Sequence, residues 1–281
     1  MSAAATLEVS VTAPAPAPAP ATASAAPGPA LRATDITLRF GGVTALQDVA
    51  LDVGADELVA LIGPNGAGKS SLLNVLSGFY KPQSGRIAFL GNDITRRPVH
   101  GIARAGLART FQGTHLLAHM SVLDNILVGR YAHQKCGLAA AFAYYPFAHR
   151  EEVAHRRVAE DIISFLEIEH VRHQPVGTLG YGMRKRVDLG RALAMEPRVL
   201  LLDEPMAGMN TEEKEDLARF ILDVRESRRI PVVLVEHDMG VVMDIADRVV
   251  VLNFGRKIAD GTPEAVQQDP QVVAAYLGAK T

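Results

Sequence analysis

Residues 57–78 of the chain read ELVALIGPNGAGKSSLLNVLSG, and this stretch determines the fold class. An apolar run typical of a strand covered on both faces leads into a glycine-rich turn, which is followed by helical spacing. The turn has a glycine, four further residues and then Gly-Lys-Ser, which is the pattern of a phosphate-binding loop. Because a strand precedes this loop and a helix follows it, the stretch predicts an α/β domain with a phosphate site at a strand end.

Each residue type in the loop suits phosphate binding. Glycines let consecutive backbone N–H groups close on phosphate oxygens, and the following helix adds its positive end. Lys69 can place a charge at the outer phosphates, and the Ser70 hydroxyl can ligate Mg²⁺. A chance glycine turn is the alternative, and the strand and helix on either side argue against it. The residues predicted to bind a nucleotide here are Gly63, Pro64, Asn65, Gly66, Ala67, Gly68, Lys69, Ser70 and Ser71.

Two later apolar runs end in residues that could carry chemistry. VLLLDEP (199–205) delivers Asp203 and Glu204 to a strand end, and VVLVEHD (232–238) does the same for His237. Ligands bind at the carboxyl ends of strands in open α/β sheets, so Asp203 is predicted to orient the Mg²⁺ shell and Glu204 to polarise the attacking water. An Asp-Glu pair elsewhere is usually solvated surface. A lone histidine is usually structural, so this pattern alone leaves the role of His237 open.

Other segments fit an α/β protein. DITLRF (35–40) alternates as a half-buried strand should. The region from about 112 to 178 has helical periodicity, with Val153, Val158, Ile162 and Phe165 repeating at threes and fours, and is predicted to be a helical insert. A hairpin is predicted around VVLNFGRKIA (250–259), and Thr262 followed by Pro263 predicts a capped helix start.

Composition excludes several classes of protein. The 281 residues carry a formal net charge of −2, which argues against general nucleic-acid binding because such domains are usually strongly basic. The single cysteine, Cys136, excludes an internal disulfide, and it is either a small buried residue or a functional thiol. No stretch reaches the roughly 20 apolar residues of a membrane helix. Residues 1–30 lack the features of a secretory signal, and their alanine–proline repeats predict a disordered tail. The expected location is the cytoplasm.

Taken together, the motifs resemble those of one protein family. The phosphate loop, RTFQ (109–112), LGYGMRKR (179–186), LLLDEP and VEHD follow one another in the order found in the ATP-binding subunits of ABC transporters. The resemblance covers residues 31–281. The chain is similar in particular to the ATPases of importers for branched-chain amino acids and their relatives for urea and amides. The stretches that carry this narrower resemblance are RTFQGTHLLAHMSVLDNILVG (109–129), LDEPMAGMN (202–210), VEHDMGVVMDIADRVVVLNFG (235–255) and GTPEAVQQDPQVVAAYLGAK (261–280).

The resemblance implies both a fold and residue roles. The fold would be a P-loop NTPase (RecA-like) α/β core with an antiparallel β subdomain and an α-helical insert at about 112–178, together an ABC ATPase cassette. Phe40 would stack on adenine, although without the resemblance it would be assigned to the core. Gln112 would sense Mg²⁺ and the γ-phosphate, and so act as both a metal ligand and a catalytic residue. His237 would contact the γ-phosphate, and the loop Met206–Asn210 would cross a dimer interface.

The stretch LGYGMRKR is ambiguous by itself, since a nucleic-acid patch, a hinge and half of a phosphate cradle are all compatible with it. The resemblance identifies it as the signature motif, which closes over the nucleotide held by a second cassette. A helix is predicted to begin near Met183, with Arg184, Lys185 and Arg186 mostly solvated. The signature residues expected to face the partner's ATP are Leu179, Gly180, Tyr181, Gly182 and Met183.

This signature differs from the common LSGGQ in having Gly180 for serine, Tyr181 for glycine and Met183 for glutamine. Tyrosine is familiar in the importer group. Without the serine hydroxyl, one hydrogen bond to the partner's γ-phosphate is lost, and such a bond to a charged group contributes roughly 1.5–3 kcal/mol. We therefore expect weakened activity in a homodimer, or masking of the defect by a different cassette with a complete signature.

The function implied by the resemblance is ATP hydrolysis in an ABC importer, with ATP and Mg²⁺ as cofactors. The implied partners are membrane-spanning permease subunits, a second cassette and, indirectly, an extracytoplasmic solute-binding protein. The chain would then lie on the inner face of the membrane through the permeases. The apolar run GLAAAFAYYPF (137–147) would touch a membrane partner or pack within the insert. Two rivals stay open: a soluble ABC ATPase of translation or DNA repair, and a regulatory cassette that binds ATP with little turnover.

Overall fold

The computed structural model describes residues 28–113, 115–134 and 147–277. Nearly all of the predicted tail at residues 1–30 lies outside the described residues. Cys136 and the apolar run 137–147, apart from the backbone of Phe147, also lie outside them.

The larger sheet carries the predicted phosphate loop. Its strands are β3 (Leu58–Ile62), β6 (Leu107–Arg109), β7 (Val199–Asp203), β8 (Val232–Val235), β9 (Arg248–Asn253) and β10 (Arg256–Gly261). The strand order is β10-β9-β3-β8-β7-β6, and every neighbouring pair is parallel except β9 with β10. All residues of β3, β7 and β8 are buried, as expected for strands covered on both faces. The carboxyl ends of β3, β7 and β8 therefore meet at one edge.

A smaller antiparallel sheet lies earlier in the chain. Its strands are β1 (Leu31–Phe40), β2 (Val43–Val53), β4 (Ser84–Phe89) and β5 (Asn92–Asp93), in the order β2-β1-β4-β5. The predicted combination of an α/β core and an antiparallel β subdomain is confirmed. The hairpin predicted around residues 250–259 is also confirmed, because it is formed by β9 and β10.

Helices connect the strands. They are α1 (Lys69–Leu76), α2 (Val99–Arg104), α3 (Val122–Gly129), α4 (Phe147–Phe165), α5 (Tyr181–Leu193), α6 (Thr211–Arg228), α7 (Met239–Ile245), α8 (Pro263–Gln267) and α9 (Pro270–Leu277). The described residues between 112 and 178 form α3, α4 and three short 3₁₀ segments. The Thr262 side chain caps α8 by accepting from the Ala265 N–H, and Pro263 is the first helical residue, as predicted.

Two helices differ from the sequence predictions. Val153 was placed on the apolar face of α4, but it is exposed, because that helix reaches the core only from Val158 onward. The helix predicted to begin near Met183 begins two residues earlier, at Tyr181, with Gly180 as its N-cap. Lys185 therefore lies one full turn into this helix.

Helices α3 and α5 approach closely through small residues. A Cβ added at Gly129 would lie 2.3 Å from the Arg191 carbonyl oxygen and 2.9 Å from the Ala194 Cβ. A Cβ added at Gly190 would lie 3.2 Å from the Cδ1 of Ile126 in α3 and 2.9 Å from the Cδ1 of Leu166, which follows α4. The contact therefore depends on the absence of side chains at these positions.

We expect Gly129→Ala to lower the free energy of unfolding by about 1–3 kcal/mol, since the added methyl group overpacks the contact against backbone that cannot move cheaply. Urea unfolding followed by circular dichroism measures the change. Gly101→Ala in α2 is the matched control, because the nearest atom to its added Cβ is the Pro98 Cγ at 3.6 Å. That variant should be neutral or slightly more stable. Equal stabilities of the two variants would contradict the packing argument.

Candidate active site

The phosphate loop connects the end of β3 to the start of α1. Gly63 has φ 146°, and Gly66 and Gly68 also have positive φ. A Cβ at Gly63 would lie 2.1 Å from the Leu252 carbonyl oxygen of β9, so only glycine fits there. The loop is thus pressed against the sheet on this side, and its residues from Asn65 to Ser71 line the open side.

Lys69 reaches back into the loop that precedes it. Its Nζ donates to the Gly63 carbonyl oxygen at 2.7 Å and to the Pro64 carbonyl oxygen at 3.0 Å. Burial lowers the pKa of the Lys69 ammonium group, while the Glu204 and Asp203 carboxylates raise it. An anion in the loop would compete with the two carbonyl oxygens for this ammonium group.

A cavity of about 420 Å³ opens in front of the loop. It brings the predicted phosphate-binding residues together with Glu204 from the end of β7 and His237 from the end of β8. Its remaining walls come from the start of β2 and the turn between β9 and β10. The lining residues are Val43, Thr44, Ala45, Asn65, Gly66, Ala67, Gly68, Lys69, Ser70, Ser71, Glu204, His237, Phe254 and Gly255.

Two predicted catalytic residues, Gln112 and His237, contact the carboxylate of the third, Glu204. The Oε1 of Glu204 lies 2.5 Å from the Nε2 of His237, and its Oε2 accepts from the Nε2 of Gln112 at 2.8 Å. The Glu204 backbone has φ 48°, a region that residues with a Cβ rarely occupy and that occurs preferentially at functional sites. Its N–H donates to the Val235 carbonyl oxygen at 2.9 Å, which fixes this conformation against β8. The arrangement can hold a carboxylate beside a phosphate site in one orientation.

Asp203 lies behind Glu204, at the last residue of β7. Its Oδ2 accepts from the Nη2 of Arg109 at 2.8 Å, and both side chains are almost fully buried. Arg109 also donates from Nη1 to the Asn74 Oδ1 at 2.8 Å and to the Ser77 Oγ at 3.0 Å. Arg109 therefore ties β6 and β7 to α1, a role that the sequence analysis did not assign.

The comparisons with known proteins agree with this geometry. A family model described as ABC transporter matches residues 46–207, more than half of the chain. The chain belongs to the ABC transporter family. A second model, described as branched-chain amino acid ATP-binding cassette transporter, matches residues 256–280 of this ABC cassette.

Named relatives cover nearly the whole cassette. The high-affinity branched-chain amino acid transport ATP-binding protein BraF of Pseudomonas aeruginosa is 40% identical over 250 residues, which are 89% of this chain and 98% of BraF. LivG of Escherichia coli, with the same description, is 39% identical over 251 residues, again 89% and 98%. The probable LivG of Methanocaldococcus jannaschii is 34% identical over 88% of this chain and 97% of its own length.

Solved structures support the same assignment. A nucleotide-free ATP-binding cassette from an ABC transporter superposes with a TM-score of 0.78 at 33% identity, covering 88% of this chain and 98% of its own. An ATP-binding cassette of an ABC transporter in its ADP conformation gives the same TM-score and identity, with 89% and 99% coverage. Among the described helices of this cassette, none is both long and apolar enough to cross a membrane.

The oxygen ligands predicted for Mg²⁺ fit that ion. The Oδ1 of Asp203 is buried and has no hydrogen-bond partner in the described part of the cassette, so one carboxylate oxygen stays available. Ser70 lines the cavity, and Gln112 contacts Glu204 at its edge. A single carboxylate with a hydroxyl and an amide oxygen suits Mg²⁺, which is usually bound through one or two carboxylates together with substrate phosphates.

The environment of Lys185 contradicts the prediction that residues 184–186 are mostly solvated. Lys185 is only 3% exposed, and its Nζ donates to the Glu204 carbonyl oxygen at 3.2 Å and to the Gln112 carbonyl oxygen at 3.4 Å. Arg186 pairs with Asp216, and Arg184 is half-buried. Lys185 lies one turn along α5, on the side that faces the end of β7. The sequence signal for this position was weak: a lysine four residues after the signature tyrosine.

Phe40 and Phe254 are exposed aromatic residues. Phe40 is 46% exposed and lies edge-to-face against Tyr80, with ring centroids 5.0 Å apart, so it is not a core residue. Phe40 does not belong to the described lining of the cavity, and its role toward adenine stays a prediction. Phe254, which the sequence analysis missed, is 86% exposed at the β9–β10 turn and does line the cavity.

The signature residues lie at the start of α5, away from the described lining of the cavity. Leu179 is buried and Met183 packs against the core, whereas Gly180 has nothing within 4 Å of an added Cβ. A Cβ at Gly182 would lie 2.3 Å from the Glu213 Oε1, so a side chain there would displace the Glu213 carboxylate from its capping box with Asn210. Tyr181 is partly exposed. At the start of α5, there is therefore free space beside Gly180, whereas the Glu213 side chain fills the space beside Gly182.

Proposed function

We propose that this cassette hydrolyses ATP to drive an ABC importer, with branched-chain amino acids or a related amino acid, amide or urea as the imported solute. The observation that carries the catalytic part is the meeting of Gln112, Glu204 and His237 in front of the phosphate loop. The solute class is supported by the transport names of BraF and LivG and by the family model at residues 256–280.

In the proposed reaction, Glu204 accepts a proton from water as the water oxygen attacks the γ-phosphorus. The bond between that phosphorus and the bridging oxygen to the β-phosphate breaks, giving ADP and phosphate. His237 and Gln112 orient the Glu204 carboxylate, and Lys69 and the loop N–H groups stabilise negative charge on the phosphates. Ser70, Gln112 and Asp203 would hold Mg²⁺, which neutralises charge on the β- and γ-phosphates when bound.

The proposal includes a second cassette. The open backbone at Gly180 and the positive end of α5 are suited to a phosphate brought from outside the chain. We propose that two cassettes sandwich two ATP molecules, each completing the other's site with residues 179–183.

A groove supports the proposed permease partner. It has a volume of about 520 Å³ and lies between the core and the helical region. Its walls are mostly apolar and include Phe79, Phe111, Val128 and Met195. Phe111 directly precedes Gln112. A membrane subunit bound in this groove would therefore lie next to the residue that contacts the Glu204 carboxylate. The cassette would then be held at the inner, cytoplasmic face of the membrane, and a solute-binding protein would act on it through the permease.

Gly180→Ser is expected to raise ATPase activity about 10-fold, because a serine hydroxyl restores a hydrogen bond to a charged phosphate. The position has φ −58° and free space for the side chain, and serine also caps helices slightly better than glycine. Phosphate release per cassette measures the change. Gly180→Ala is the matched control, since it adds the Cβ without the hydroxyl. An unchanged rate for the serine variant would count against the assigned role of this position.

Copurification tests the transport part of the proposal. The tagged cassette, expressed in its native host and extracted with detergent, should bring membrane-spanning subunits with it, and their reconstitution with the solute-binding protein should give ATP-dependent leucine uptake. Recovery with ribosomes or DNA in place of membrane proteins would overturn the proposal in favour of a non-transport ABC ATPase.

A further inference from the structure

A buried carboxylate that the proposed reaction does not use lies directly before His237. Glu236 follows the last residue of β8 and is only 3% exposed. Burial raises the pKa of the Glu236 carboxyl, as does the nearby Glu204 charge, while hydrogen bonds from the backbone at Met206 and His237 act in the opposite direction. A buried carboxylate is costly to keep unless it is hydrogen-bonded, so its partners indicate what it holds in place.

Its two oxygens accept from two different segments of the active site. The Oε1 accepts from the Met206 N–H at 2.7 Å, and the Oε2 accepts from the His237 N–H at 3.1 Å. Met206 is fully buried and begins the loop Met206–Asn210, which by resemblance crosses the dimer interface. One side chain therefore joins the backbone of the interface loop to the backbone of the histidine beside Glu204.

The same loop contacts the start of α5. A Cβ added at Gly208 would lie 3.3 Å from the Tyr181 Cε1, so the loop packs against the signature tyrosine. At its other end, the Asn210 side chain caps α6 through a reciprocal capping box with Glu213. The loop is thus fixed at Met206 by Glu236 and at Asn210 by α6. Between these two points, Gly208 packs against Tyr181.

We infer that Glu236 is a positioning residue that couples the interface loop Met206–Asn210 to the His237–Glu204 pair. A displacement of the loop by a second cassette would move the Met206 N–H, the carboxylate bound to it and then the His237 backbone. The inference rests on the proposed function, because the loop has this meaning only in an ATP-driven dimer. A carboxylate suits the position, since it has two acceptor oxygens for two N–H groups, whereas an amide has one.

Glu236→Gln is the decisive variant, because it keeps the shape and leaves one of the two N–H groups facing an amide nitrogen. We expect kcat for ATP to fall roughly 10- to 100-fold, since one hydrogen bond to a charged acceptor is lost. The Kd for a fluorescent ATP analogue should stay within about twofold, because Glu236 is outside the cavity lining. Glu167→Gln is the charge-matched control: Glu167 forms an exposed ion pair with Arg219, and its loss should leave both constants unchanged.

A second measurement distinguishes coupling of Glu236 to the dimer interface from a purely local role in supporting the active site. In a Glu204→Gln background, ATP should produce a dimer by light scattering, and adding Glu236→Gln should raise the ATP concentration needed for half-dimerisation about 10-fold. Unchanged kcat for Glu236→Gln in an active wild-type background would overturn the inference, and so would a parallel loss of kcat and ATP affinity. An inactive wild-type cassette together with a Glu204→Gln variant that stays monomeric would instead contradict the proposed function.

Discussion

Glu204→Gln is expected to lower ATP turnover by about 10²- to 10⁴-fold while leaving ATP bound in a stable dimer. The amide has nearly the same shape as the carboxylate, but it cannot accept the proton from the attacking water. Its contacts to His237 and Gln112 are hydrogen bonds that an amide can still make in part, so the cavity should keep its form. Phosphate release measures turnover, and size-exclusion chromatography with light scattering measures the dimer.

Glu212→Gln provides the control for this charge change. Glu212 is an exposed carboxylate in the first turn of α6, and removing its charge should alter neither turnover nor assembly. If Glu204→Gln kept a rate within tenfold of the wild type, the proton would have another acceptor, such as the phosphate itself. If it lost turnover without forming the dimer, the dimeric part of the proposal would be wrong.

Lys185→Met is expected to lower kcat about 100-fold and the free energy of unfolding by about 2 kcal/mol. The ammonium group is the buried donor to the Glu204 and Gln112 carbonyl oxygens, and methionine would fill the space without satisfying either of them. A buried polar group left without its partner costs about 1–3 kcal/mol. The backbone at Glu204 and Gln112, the proposed catalytic residues, would lose its common support, so the carboxylate and the amide would no longer be held together.

Turnover and urea unfolding should be measured on the same Lys185→Met preparation. Lys257→Met is the matched control, because Lys257 pairs with Asp260 at the surface of β10. The control should retain full activity. If Lys185→Met also retained full activity, the buried contact of Lys185 would play no part in catalysis.

The residues at the carboxyl edge of the large sheet could be predicted from the sequence, because each of them follows a local pattern. The apolar runs before Gly63, Asp203 and His237 identify buried parallel strands, and such strands end at a common edge. Those runs do not specify which atoms meet. The two contacts of the Glu204 carboxylate depend on its left-handed backbone, for which no local signal exists at a glutamate.

The features that the sequence predicted wrongly or missed all depend on tertiary packing. Three consecutive basic residues are usually solvated, whereas the burial of Lys185 depends on which strand end this side of α5 faces. Glu236 was passed over as part of VEHD, although it is the residue that joins two segments. Val153 fits the helical period of α4, but periodicity cannot show how far a helix extends beyond the core.

The position of β3 also determines when the nucleotide site can form during synthesis. Its two neighbours in the sheet, β8 and β9, are translated more than 160 residues later, and Gly255 closes the arrangement by donating its N–H to the Ala67 carbonyl oxygen at 2.9 Å. A nascent chain on the ribosome therefore carries the phosphate loop long before the loop has its supporting strands. Long-range pairings of this kind form slowly, so the ability to hold a nucleotide arises only after β8 and β9 have been translated.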